Sequence, residues 1–297
     1  MIITHSALQC FQTCRRKYKL RYMDCIVPKI KSQALGFGSA MHTALEEYFK
    51  YVDASQKFME SDGKCDFTFD CDKVLSDKVE SAKLAGLIAG YVRKWYAEDF
   101  DKYNVIAIEK EFKCDMPKSC AYIAGKIDGL VQDNCTGKYY ILEHKTASVV
   151  DEAYVSQKDI DSQTLLYAVA LEYTMGIVVD GVIHDIIIKQ KIRQKKGESE
   201  EDFCARLIED VTDDNFIRVQ VDLTSEQIKD FEAELEQETS DLAWCKSFYK
   251  CTGSCLGKYG ACEYLPICRA GGLVDSLKDK YEIARAHEEL SEETAGE

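Results

Sequence analysis

The chain has 297 residues, 46% of them apolar and 10% aromatic, a formal net charge of -14 and 14 cysteines. That length and composition can bury a core for one large domain or two small ones, and they exclude a disordered or low-complexity chain. The charge excludes a protein that coats nucleic acid over its whole surface, while a local basic groove on an acidic body stays open.

The opening MIITHSALQCFQTCRRKYKL has no apolar core of signal-peptide length ahead of its basic cluster. No later run approaches the roughly 18 apolar residues of a membrane helix, so the expected location is the cytosol, with no membrane partner. In a reducing compartment the cysteines point to metal or cluster ligation, or to plain buried thiols, rather than to a disulfide framework.

In chain order, CFQTCRRKYKLRYM (10–23) spaces Phe11, Tyr18 and Tyr22 for one helical face and interleaves Arg15, Arg16, Lys17, Lys19 and Arg21, predicting a short basic amphipathic helix. Ser39 can cap a helix in which His42, Leu45 and Phe49 share a face, His42 pointing inward from the first turn. Residues 53–72 are polar and irregular, and 74–100 resumes a helical pattern that reads as a helical insertion ahead of the sheet. From YNVIAIEKEFKC the period becomes two, giving strands near 104–113, 121–131 and 138–145, then a helix over 159–175 that can stop at Gly176. GVIHDIIIKQKIRQKKG (181–197) gives another strand and a basic run, and 224–245 a helix with a Thr or Ser cap. The last twenty or so residues are charged and expected to be loosely attached.

Charged residues inside strands demand a reason. With the turn-forming DNCTG at 133–137, the strands on either side fold back near Cys135 and set Asp128 roughly opposite Glu143. Such neighbours have Cβ atoms about 5 Å apart, where two carboxylates repel unless a cation lies between them, and Mg²⁺ takes carboxylate oxygens at about 2.1 Å. Alternation puts Tyr139, Ile141, Glu143 and Lys145 on one face and Tyr140, Leu142 and His144 on the other. A lysine there can stabilise developing phosphoryl charge or help orient and deprotonate an attacking water, so the implied chemistry is phosphodiester hydrolysis. The competing reading is an exposed Glu143–Lys145 pair worth under about 1 kcal/mol.

GSAMH with His42, GKIDG with Asp128, LEHKT with Glu143 and Lys145, and SQTLLYAVAL with Gln163 and Tyr167 together resemble, in order, the motifs of the PD-(D/E)xK nucleases of the RecB and AddB type, which include CRISPR-associated RecB-like exonucleases. The resemblance implies an α/β restriction-endonuclease-like core with a central mixed sheet, Mg²⁺ or Mn²⁺ held by His42, Asp128, Glu143 and the backbone carbonyl of His144, and Lys145 as the catalytic lysine. It makes Asp128, Glu143, Lys145, Gln163 and Tyr167 the catalytic set, the last two positioning DNA and the active site. Read without it, Gln163 and Tyr167 are an i, i+4 pair on one helix face.

CTGSCLGKYGACEYLPIC holds Cys251, Cys255, Cys262 and Cys268, and Cys14 lies far upstream; four thiolates suit tetrahedral zinc or a [4Fe-4S] cluster. The AddB-type enzymes have one cysteine ahead of the nuclease motifs and three after, which implies a cluster on Cys14, Cys255, Cys262 and Cys268, an iron-sulfur clamp joining the two termini. Arg15 stands where that pattern commonly has proline, and Cys255 lies further from Cys262 than is usual, so a local zinc site on Cys251, Cys255, Cys262 and Cys268 is the alternative.

Lys189, Lys191, Arg193, Lys195 and Lys196 form a second basic run which, with the 15–21 segment, could line a phosphate groove; no base-reading motif is visible. The organisation expected is one nuclease domain over 1–297: an N-terminal basic helix (1–35), a helical region (36–103), a catalytic core (104–200), a C-terminal helix with the cysteines (201–270) and a charged tail (271–297). The expected activity is a Mg²⁺- or Mn²⁺-dependent deoxyribonuclease, exonuclease rather than endonuclease, acting on DNA ends or single strands in recombination, repair or phage DNA processing. By resemblance alone it works in bacterial, archaeal or phage-infected cytosol with a helicase or recombination partner. The rivals are a non-catalytic DNA-binding or assembly subunit that keeps the fold, and a cluster-bearing redox protein.

Overall fold

Apolar periodicity decides where each element lies. In a computed structural model, which describes residues 1–30, 33–58, 65–116, 121–257, 260–288 and 290–295, the strands are β1 (Ile2–Ile3), β2 (Ile26–Pro28), β3 (Tyr103–Met116), β4 (Ala121–Asp133), β5 (Tyr139–Ala147), β6 (Gly181–Ile188), β7 (Phe216–Asp222), β8 (Leu256–Gly257), β9 (Gly260–Ala261) and β10 (Tyr281–Ile283). The helices are α1 (His5–Thr13), α2 (Arg15–Tyr18), α3 (Gln33–Phe58), α4 (Lys78–Lys102), α5 (Glu152–Ser156), α6 (Ser162–Met175), α7 (Glu200–Glu209), α8 (Ser225–Ala243), α9 (Leu265–Ala270) and α10 (Glu292–Ala295).

The main sheet is mixed. β4 pairs antiparallel with β3 and β5, β5 parallel with β6, and β6 antiparallel with β7. The parallel β5–β6 step needs a crossover, which α5 and α6 supply. On the edge of β4 that meets β5, pairing covers only Gly129 to Gln132, and β1 takes Tyr122 and Ile123. Residues 124–128 lie between those two ladders, and the candidate site opens in that gap.

The sheet separates two cores. Ile123, Ile127, Leu130 and Ile141 meet α1, α6 and α8, while Val131, Tyr140, Leu142 and Ile183 meet α3 and α4. The helical region expected as an insertion is therefore one complete layer of the fold. It continues the core because α3 and α4 bury Met41, Leu45, Tyr48, Leu84, Leu87 and Tyr91 against the sheet.

Several elements differ from the sequence expectation. The N-terminal helix starts at His5, capped by Thr4, and breaks where Cys14 is extended. α3 begins before Ser39, whose carbonyl accepts from Thr43 inside the helix, so His42 sits past its first turn. Of the polar stretch 53–72, residues up to Phe58 complete α3, and 59–64 lie outside the described residues. The sequence expectation lacks α7 and the edge strand β7, although Ser199 with the acidic first turn of α7 and the alternation of IRVQVD in β7 carried the signals for them. The tail is tied down: β10 pairs with β2, and Ser291 and Thr294 hydrogen-bond to Glu111. A third small core of Leu20, Ile26, Tyr264, Ile267 and Tyr281 joins the two termini, with Cys262 and Cys268 packed against it.

Candidate active site

Asp128 stands at the first position of β4 beyond its ladder with β5, which ends at Gly129 opposite Leu142. Where the strands part, its Oδ2 accepts the His144 N–H at 2.8 Å, so a carboxylate takes the place of a ladder carbonyl. Its Oδ1 lies 3.2 Å from His42 Nδ1 on α3. Burial would raise this carboxyl, but the hydrogen bond and charge of His42, with the His144 N–H, outweigh it and hold Asp128 below the usual range. For His42 burial acts downward, and Asp128 more than offsets it, so the imidazole is raised.

Glu143 is 1% exposed, which rules out the surface-pair reading of the hairpin. One oxygen pairs with Lys145 Nζ, while Oε2 is buried with no hydrogen-bond partner among the described residues. Burial and the nearby Asp128 charge push its carboxyl up. Lys145 also donates to Gln163 Oε1 at 3.0 Å, and Gln163 Nε2 donates to Tyr167 OH at 2.7 Å. Burial would lower the Lys145 ammonium, but Glu143 overrides it, so the side chain is a cation in this arrangement. Gly125, from GKIDG, has a steric role: a Cβ there would stand 2.7 Å from Phe112 Cζ and 3.4 Å from Tyr167 Cε1.

The structure thus gathers the residues singled out in the sequence into two groups, His42 with Asp128 and His144, and Glu143 with Lys145, Gln163 and Tyr167, and Glu143 is not among the ligand atoms that cluster with His42 and Asp128. It adds Glu109, which β3 places opposite Asp128 between the pairs Ile108–Gly129 and Lys110–Ile127. Glu109 has φ 46, and its carboxylate pairs with Lys126. His42, Glu109 and Asp128 offer ligand atoms that all lie within 4.8 Å of one another. A glutamate in IAIEKEF looks like an ordinary strand-face residue, and only the backbone kink turns it inward.

Two further groups escaped the sequence reading. His184, paired by register with Glu143, is fully buried with neither ring nitrogen bonded among the described residues, and burial lowers it to about 4. Asp185 follows, 3.4 Å from His144 Nδ1 and bonded to Arg218 Nε at 2.6 Å; Arg218 in turn reaches Asp99 at 2.7 Å. The signal available was a histidine and an aspartate inside the apolar GVIHDIII, since a buried charge asks for a partner.

At the other end of α1, the cysteines named above gather around the chain termini. Cys14 Sγ accepts the Cys251 N–H at 3.4 Å, and the Cys262 N–H donates to the Cys255 carbonyl at 2.9 Å. The Cys268 thiol is raised by burial and by Cys262 and Cys14 beside it. Cys251 is exposed, whereas Cys14, Cys255, Cys262 and Cys268 are half-buried. Ser254 Oγ donates to the Thr13 carbonyl at 3.1 Å and Lys17 pairs with Glu263 at 3.2 Å, so protein contacts join the two ends of the chain. The second basic run begins at Lys189, whose ammonium lies 4.1 Å from the Phe37 ring centre near the start of α3.

Fold and site define a mixed α/β protein with a clustered His, carboxylate and lysine site between parting strands. The chain belongs to the PD-(D/E)XK nuclease superfamily, whose family model matches residues 2–269. No curated protein matches it. Solved structures with partial likeness include a phage-related exonuclease from Haemophilus somnus 129PT, 10% identical at TM-score 0.33 over 67% of this chain and 80% of that one. Another is SSO0001, 10% identical at TM-score 0.24 over 69% of this chain and 98% of that one. Rai1 from Scheffersomyces stipitis is 12% identical at TM-score 0.20 over 80% of this chain and 74% of that one. None of these likenesses is close enough to bear on activity. Among the described residues no helix is long and apolar enough to cross a membrane.

Proposed function

We propose that the protein is a Mg²⁺- or Mn²⁺-dependent deoxyribonuclease, an exonuclease rather than an endonuclease, that hydrolyses phosphodiesters at DNA ends or in single strands during recombination, repair or phage DNA processing. The observation that carries this reading is the convergence of His42, Asp128 and Glu143 with Lys145 in one gap of the sheet. The residues fit a hard divalent cation: Glu143 Oε2 is a buried acceptor without a donor among the described residues, and Asp128 and Glu143 repel each other without an intervening positive charge. His42, Asp128, Glu143 and the His144 carbonyl would hold it, with Glu109 as an additional carboxylate. When bound, such an ion supplies Lewis acidity and lowers the pKa of a coordinated water.

The chain's own groups do the rest. Lys145, protonated and fixed by Glu143 and Gln163, presents a point charge to the phosphoryl oxygens as negative charge develops. Gln163 is oriented by Tyr167, so its carbonyl faces the lysine. The His144 N–H keeps Asp128 turned to the gap. The non-catalytic alternative leaves this buried, fully assembled set without a use.

End-labelled linear and circular DNA, single- and double-stranded, separates these readings. Linear substrates are expected to be degraded with Mg²⁺ or Mn²⁺ and not with chelator, and circular ones to resist. No degradation with either metal on any substrate would overturn the nuclease reading.

We also propose a [4Fe-4S] cluster on Cys14, Cys255, Cys262 and Cys268 in preference to zinc. Support comes from their grouping at the seam of the termini and from the N–H donated to Cys14 Sγ. Protein purified without oxygen is expected to carry iron and sulfide in equal amounts and to lose both in Cys14→Ala; a mutant with a full cluster would refute this ligand set.

A further inference from the structure

The N-terminal basic segment and the residues after α8 form one continuous surface. The Arg16 N–H donates to the Tyr249 carbonyl at 3.0 Å. The Arg15 guanidinium lies 4.9 Å from the Phe11 ring centre and 5.0 Å from that of Tyr249. Tyr18 and Phe248 stack at 6.3 Å beneath them. On this seam Trp244 is 71% and Tyr249 56% exposed, with Lys246 and Lys250 exposed beside them.

Nearby cations of the same segment are neutralised: Lys17 by Glu263, Lys19 by Asp24 and Arg21 by Glu288. Arg15, Arg16, Lys246 and Lys250 have no carboxylate partner among the described residues. Four uncompensated cations around two solvent-facing aromatics stand out on a chain of net charge -14. Lys250 donates to the Cys268 carbonyl at 2.9 Å and Arg15 to Cys245 Sγ at 3.7 Å, contacts that place these side chains without neutralising their charge, and fold packing does not explain the exposure of Trp244.

We propose that this seam is a landing surface for single-stranded nucleic acid, with Trp244 and Tyr249 stacking on bases and Arg15, Lys246 and Lys250 meeting phosphates. The proposal rests on the nuclease reading of the cleft. Single strands expose base faces that any aromatic ring can stack on, and a basic surround tracks the backbone without reading sequence. A duplex hides those faces and offers phosphates alone.

α1 sets the distance from the cleft. It starts at His5, whose Nε2 is 3.0 Å from Ser162 Oγ beside Gln163, and runs for 9 residues to Thr13. That is about 14 Å at 1.5 Å per residue, at most about four nucleotides at the roughly 3.4 Å of a stacked strand and fewer when the strand is extended. A strand held at the cleft therefore reaches the seam only when it extends a few nucleotides beyond the cleft. The acidic α8, bonded to α1 through Gln12 and Glu238, bounds the surface on one side.

Tryptophan emission tests the proposal on the full chain, because Trp95 packs 4.2 Å from the Arg218 guanidinium and Trp244 is the solvent-facing reporter. With chelator present, an oligothymidylate of about 20 nucleotides, longer than the roughly 4–16 such surfaces span, is expected to quench emission saturably. Lys246→Glu/Lys250→Glu should weaken that binding at least about tenfold, and Trp244→Phe should abolish the quench. In cleavage assays, Trp244→Ala/Tyr249→Ala should raise KM about tenfold on the long oligomer while leaving kcat and cleavage of a dinucleotide, too short to reach the seam, unchanged. No quench, an equal quench by duplex, or an unchanged KM would overturn the proposal. Saturable quenching by a protein that cleaves nothing would leave the surface standing and defeat the nuclease reading; cleavage with unchanged KM would do the reverse.

Discussion

Asp128→Asn is expected to lower metal-dependent cleavage by at least the roughly 100-fold that loss of one preorganised electrostatic partner costs. The substitution keeps the side-chain shape and leaves one oxygen to accept the His144 N–H, which holds Asp128 at 2.8 Å. What disappears is the charge that faces His42 and repels Glu143. Stability of the metal-free protein should change little by comparison, for two opposed reasons. A carboxylate held below its ordinary pKa contributes stability that is present above that ordinary value and is lost as pH falls through the lower, folded one. Asp128 is of this kind, so neutralising it removes a favourable contribution. Glu143 is of the opposite kind: its carboxyl, raised to about 7, costs stability progressively as pH rises from the ordinary carboxylate range to neutrality, and part of that cost comes from Asp128. Initial rates at saturating Mg²⁺, together with thermal melting in chelator at neutral pH, check both halves. A rate within tenfold of the native protein would remove Asp128 from the reaction.

The outcome of the hairpin shows which parts of the fold were legible. DNCTG folds back as expected because Asp133 accepts the N–H groups of Cys135 and Thr136, and the resulting register runs through Leu130–Ile141 toward Asp128 and Glu143. Period two then separates Tyr140 and Leu142 from Ile141 into the two cores. Local chemistry of this sort is written in a few neighbouring residues. The ladder's early end is not, because it depends on β1, over a hundred residues upstream, taking the other part of the β4 edge. Glu109 was hidden for the same reason, since its inward turn follows from a backbone kink rather than from residue type. The start of α3 was misplaced because Ser39 resembles a cap, while tertiary packing of Phe37 carries the helix further back.

Arg218→Leu is expected to destabilise the fold by about 3–5 kcal/mol, the cost of leaving a buried charge without its partner. Arg218 serves two aspartates at once: Nε and Nη2 bond Asp185 at 2.6 and 3.1 Å, and Nη1 bonds Asp99 at 2.7 Å. Tyr91 and Tyr48 complete the set, donating to Asp185 at 2.6 Å and to Asp99 at 2.9 Å. One positive charge is shared unequally. Burial would raise Asp185, but Arg218 and His144 drive it well down, whereas for Asp99 burial dominates and lifts it to about 6. In the native protein Asp185 therefore adds stability that persists above the ordinary carboxylate range and is lost only in strong acid. Without Arg218 both carboxyls are raised by burial, the folded state binds more protons than the unfolded one, and stability falls as pH rises. Urea unfolding should accordingly show Arg218→Leu more stable at pH 5 than at pH 8. Arg218→Met combined with Asp185→Leu should recover part of the loss, because no unpaired charge is left at Asp185. The row His144–Asp185–Arg218 crosses β5, β6 and β7, and His144 holds Asp128, so the single variant should loosen the site before it unfolds. A stability within 1 kcal/mol of the native protein, or an unchanged pH slope, would show that water already reaches this network and that burial does not govern it.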